Sequence, residues 1–141
     1  MIKYILKQNK IDGSPGFGKW YAYPVVEQTM SLKDLAKHMA EHNFGFSEAM
    51  CIGVLTAMVK CIKEQVLEGK NVKIDDLAIF SCGIRNASGG AASVEEFNVV
   101  KNIKTVKLRS RATGTLTAKN LDLEATLKKA TATTLKASTS E

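Results

Sequence analysis

His38 and His42 stand four residues apart in the segment HMAEH, which matches the H-x-x-E-H letters of inverted zinc peptidases. On a helix that spacing puts both imidazoles on one face, where they could share a metal. A catalytic zinc takes three protein ligands, and no ligand-bearing helix follows. Two boundary histidines beside an apolar stripe are the simpler reading, so no metal site and no other cofactor is expected. Residues 13–19 (GSPGFGK) nearly spell a phosphate-binding loop. Trp20 stands where a Ser or Thr would hold Mg²⁺, and a strand follows where a helix N-terminus is needed. A glycine-rich hairpin loop is expected there. Cys82 has no base at a telling spacing and reads as a strand thiol. Trp20, Tyr21 and Tyr23 could stack on bases, but such clusters more often fill a core or an interface. The chain is therefore expected to be no enzyme and to take no small-molecule substrate.

Charge points elsewhere. The net charge is +6, and its placement matters more than its size. Residues 1–98 hold 11 Lys+Arg against 11 Asp+Glu, whereas residues 99–141 hold 9 against 3. The whole excess sits in the last third. Such a segment is a candidate footprint for a polyanion, with a merely solvated face as the alternative.

The elements that must carry these charges follow from periodicity. With 141 residues, 45% hydrophobic and 24% charged, the chain suits one domain able to bury its own core. No signal-peptide pattern opens it, and its longest apolar-rich stretch, 49–59, is too short to span a membrane. A cytoplasmic location without membrane contact is expected. Three scattered cysteines do not make a disulfide framework, and Cys51 and Cys61 read as small buried thiols in a helix.

Residues 2–8 and 20–26 alternate as two strands around the turn 9–18, and Pro24 assigns the second to a sheet edge. Ser31 and Ser47 are helix N-caps. After Ser31, Leu32, Leu35, Ala36 and Met39 share a face. After Ser47, Met50, Val54, Leu55, Met58, Ile62, Val66 and Leu67 keep a 3.6-residue rhythm until Gly69 ends the helix. The period then becomes two: Val72 and Ile74, a turn at Asp75-Asp76, a strand over 79–85, a mobile glycine-rich loop over 86–93, and a strand over 103–111. A phase slip near Thr105 marks a candidate bulge. A short helix is expected over 122–130, and a disordered Thr/Ser/Ala-rich tail over 131–141. The order is an α+β arrangement. The apolar stripe of the long helix is wider than these elements can cover, which predicts a second copy as partner.

SLKDLAKHMAEH followed by FSEAMCIGVLTAMVKCIKEQVLEGKNVKIDDLAIF resembles the core of the HU/IHF family of bacterial DNA-binding proteins. The resemblance runs over 31–85, with Gly69-Lys70-x-Val72-x-Ile74 and Leu77-x-x-Phe80 as its markers, and continues loosely to 111. The added N-terminal strands resemble the HU-like branch common in Bacteroidetes. The resemblance implies two helices, then a three-stranded antiparallel sheet with a β-ribbon arm, preceded here by an extra β-hairpin. It also implies an intertwined homodimer whose arms embrace the minor groove of double-stranded DNA. The domain would span 1–130, with 1–30 as the extension, 31–111 as the HU-like core and 112–130 as a C-terminal segment.

In that scheme Arg85, Lys101, Lys104, Lys107, Arg109 and Arg111 are the DNA-binding residues, neutralising phosphates with little sequence preference. The implied role is a nucleoid-associated, architectural one. Ala78 replaces the family's glycine, the arm is short, its 86–102 connector has no proline wedge, and Glu95 and Glu96 lie on it. A structural or protein-interaction module that keeps the scaffold without the DNA clamp is the alternative. A metal-dependent hydrolase built on the two histidines is the third class.

Overall fold

The computed structural model describes residues 1–131. It is a mixed α+β chain with four helices and two separate three-stranded sheets.

The first sheet joins the two ends of the described residues. Strand β1 (Ile2–Gln8) pairs antiparallel with β2 (Trp20–Pro24). The 13–19 segment lies in their connecting loop, as a glycine-rich hairpin loop requires. Pro24, with no amide to donate, falls on an edge strand as expected. The other neighbour of β1 was not foreseen. Helix α4 (Ala118–Glu124) starts earlier than the helix expected over 122–130, and β6 (Leu127–Lys129) takes the rest of that range. Strand β6 runs parallel to β1, closed by the Ile2 amide to the Thr126 carbonyl and the Ala130 amide to the Tyr4 carbonyl, each 2.8 Å. A free strand edge outweighs the weak local preference of Leu-Lys-Lys. The expected hairpin is thus two strands of a mixed sheet.

Helix α1 (Leu32–Glu41) opens with a capping box. The Asp34 amide donates to Ser31 Oγ at 3.2 Å, and the Ser31 amide donates back to Asp34 Oδ2 at 2.8 Å. Helix α2 (Glu48–Leu67) is capped by Ser47 and ends at Gly69, whose φ of 81° suits a residue without a Cβ. The second sheet is the three-stranded antiparallel one: β3 (Val72–Ile74), β4 (Ala78–Asn86) and β5 (Ile103–Ala112) in that order. The turn at Asp75-Asp76 is present, with Asp76 left-handed at φ 61°. A one-turn helix, α3 (Val99–Asn102), precedes β5. The tail expected to be disordered lies, apart from Thr131, outside the described residues.

The expectation of a self-contained core fails. Among the described residues only Ala36, Cys51 and Val66 are buried hydrophobics. Cys61 is exposed, against its reading as a buried thiol. Met50, Val54, Val59 and Leu67 on α2 are each more than half exposed. The reason is geometric: α2 is apolar on more than one face, while only α1 and the base of the β3-β4-β5 sheet lie beside it. Trp20, Tyr21 and Tyr23 fill no core either, and all three are exposed.

Candidate nucleic-acid interface

The β4–β5 ribbon sets the geometry of the basic residues. Its register pairs Ile79 with Arg111, Ser81 with Arg109, Gly83 with Lys107 and Arg85 with Thr105. Directly opposed residues share a face, and that face repeats every second residue. Arg85, Lys107, Arg109 and Arg111 therefore line one side of the ribbon. The opposite side carries Phe80, Cys82, Ile84, Val106 and Leu108.

Lys101 and Lys104 sit differently. Arg85 opposes Thr105 while Asn86 opposes Ile103, so Lys104 is the extra residue of a β-bulge, as the phase slip near Thr105 predicted. Lys101 lies in α3, one turn before the strand. The structure thus aligns four of the six expected residues and places the other two where the ribbon meets its connector. All six are exposed, and among the described residues none joins an ion pair, since the three pairs present use Lys3, Lys70 and Lys73. Unpaired exposed cations on one strand face are free to meet an external anion.

Two features of this surface escaped the sequence reading. Gly83 is buried beneath the row of cations. A Cβ there would lie 2.6 Å from Arg109 Cδ and 2.9 Å from its Cγ. Its missing side chain is the space in which the Arg109 stem lies. The only hint in the sequence was a glycine interrupting a strand pattern, which often marks a close approach. The second feature is the connector. Asn98 caps α3, accepting from the amides of Val100 and Lys101, and Asn102 Nδ2 donates to the Gly90 carbonyl at 2.9 Å. On this connector Val94 and Val100 stand out in solvent, at 87% and 90% exposure the barest large apolar residues among those described.

Among the described residues no group of three or more His, Cys, Asp and Glu converges. Cys82 Sγ donates only to the carbonyl of Gly83. No helix among the described residues is long and apolar enough to cross a membrane.

Two capped helices followed by an antiparallel sheet with a basic two-stranded ribbon make a mixed α+β protein. Residues 1–129 match the HU-HIG family, described as an HU domain fused to a wHTH, Ig or glycine-rich motif, and the chain belongs to that family. Among solved structures it is similar to a chain from Bacteroides vulgatus described as a "putative bacterial DNA binding protein". The TM-score is 0.65 at 12% identity, with 91% of this chain covered. This chain spans about half of that one, 47% of its length. No curated protein matches the chain.

Proposed function

We propose that the chain binds double-stranded DNA as a non-enzymatic, HU-like homodimer with little sequence preference. The observation that carries this reading is the register that sets Arg85, Lys107, Arg109 and Arg111 on one ribbon face, exposed and unpaired. Lys101 and Lys104 extend the row toward the connector. Lysines and arginines in a row match the repeating charge of a phosphate backbone, and each contact releases counterions. Such contacts meet a backbone that every sequence shares, so affinity would depend on salt more than on sequence.

The dimer rests on the apolar surface the chain leaves bare. A groove between α1 and α2 is lined by Met39, Phe46, Met50, Cys51, Val54 and Leu55, with no polar lining residue. Ile84, Val106 and Leu108 leave the far side of the ribbon apolar and exposed as well. Patches of this extent mark an interface, and a second copy is the simplest chain to cover them. Two ribbons would then present twelve cations. A nucleoid location, an architectural role and a place in the Bacteroidetes branch go with this reading.

The alternative, a protein-interaction module, is favoured by one observation. Ile2, Leu6, Trp20 and Leu127 are all exposed on one face of the N-terminal sheet, far from the basic row in sequence. The two readings separate on DNA titrations of single variants. Lys104→Ala, Lys107→Ala and Arg109→Ala are each expected to weaken binding to any duplex. Each should flatten the slope of log affinity against log salt by about one unit per ribbon. Unchanged affinity in all three would remove the ribbon from the interface.

A further inference from the structure

We propose that His38 and His42 form a two-point chelate for a divalent transition-metal ion, preferring nickel and copper over zinc. The motif that offers no zinc peptidase thus offers a different metal chemistry. The two Nε2 atoms stand 3.0 Å apart across the last turn of α1. The rings meet edge to face, with centroids 4.5 Å apart. Both rings are exposed, so an ion can reach them from solvent.

The pair is held from both sides. His38 lies within α1, and His42 caps it, its amide donating to the Met39 carbonyl at 3.2 Å. Beyond it, Asn43 and Gly45 take left-handed conformations, and the reversed chain brings Phe44 back over the imidazole. The Phe44 ring stacks on His42 at 15° and 5.6 Å, which fixes the ring plane. The negative end of the α1 dipole lies here too and favours a cation.

The spacing decides among metals. With metal–nitrogen bonds of about 2.05 Å, nitrogens 3.0 Å apart subtend about 94° at the ion. That bite suits the right angles of square-planar or octahedral copper(II) and nickel(II) better than the wider angle of tetrahedral zinc. Without metal the two Nε2 atoms share a hydrogen bond, one ring donating and the other accepting; to take an ion both rings carry their proton on Nδ1, leaving each Nε2 lone pair free. No further His, Cys, Asp or Glu converges among the described residues, so water fills the other positions.

The test is calorimetric titration of the tag-free full chain with nickel chloride, then zinc chloride, in a non-coordinating buffer. One nickel ion per chain is expected, bound more tightly than zinc. His38→Gln and His42→Gln should each lower nickel affinity at least about a hundredfold, because the second imidazole acts at high effective concentration. Nickel should also raise the unfolding midpoint of the wild type and not of either variant. Circular dichroism of the variants confirms that they fold. No saturable nickel binding, or full binding retained in either folded variant, would overturn the chelate. Zinc bound more tightly than nickel would overturn the right-angle geometry.

Discussion

Val54→Asp should split the proposed dimer. Val54 sits on α2 with 67% of its surface bare in the single chain, in the apolar groove beside α1. Full burial of a valine side chain contributes about 1.5–3 kcal/mol, so covering the exposed two-thirds contributes roughly 1–2 kcal/mol per chain. In a two-fold interface each substitution counts twice, which gives roughly 2–4 kcal/mol per pair. A carboxylate without a partner in that groove adds a desolvation penalty of several kcal/mol. The total exceeds about 4 kcal/mol, so the dimer should dissociate at least about a thousandfold more readily. Sedimentation equilibrium across the micromolar range reads this directly. Wild type should sediment as a dimer and Val54→Asp as a monomer or unfolded chain. Val54→Ala, which adds no charge, should fall between them. A monomeric wild type would refute the reasoning, and so would a dimer indifferent to Val54→Asp.

Other outcomes follow from the same geometry. Ser47→Ala removes the oxygen that accepts from the Met50 amide and should cost about 1 kcal/mol in urea unfolding. The hydroxyl and amide of Ser31 both donate to Asp34, which holds its carboxyl below the usual range. That support is complete above the unfolded carboxylate value near about 4 and fades as pH falls through the lower folded value. Asp34→Asn should therefore blunt the acid-side fall in melting temperature. Gly83→Val would displace the Arg109 stem and should weaken DNA binding as much as Arg109→Ala does, with the fold retained by circular dichroism. Val100→Ser should leave the salt slope unchanged, and any loss of DNA bending measured by energy transfer would assign the exposed valine a wedge role.

Much of the fold was legible because its signals are local. Ser31, Ser47 and Gly69 mark both long helices through backbone groups that must be satisfied within a few residues. The β4–β5 strands show in their alternation, and even the bulge at Lys104 shows as a slip of phase. The fate of residues 127–129 was not legible, since only the distant edge of β1 decides it. The thin core was legible only in part: the wide apolar stripe of α2 signalled surface its neighbours could not cover, whereas length and composition pointed to a chain able to bury its own core. The basic set was readable as charge, yet its alignment depends on cross-strand register, and the space for Arg109 depends on the absent side chain of Gly83. Asn98 was a readable cap for α3, overlooked because its helix is a single turn.

The most direct test of the central claim is a fluorescence titration of a mixed-sequence duplex with the full chain at several salt concentrations. Six phosphate contacts predict a slope of log affinity on log salt near about −5, and two symmetric ribbons near about −11. With six contacts, affinity should fall roughly two-thousandfold between about 50 and 200 mM salt. The Lys107→Gln, Arg109→Gln, Arg111→Gln triple variant should flatten the slope by about three units per ribbon. No binding at low salt, or a slope that the triple variant leaves unchanged, would contradict the account.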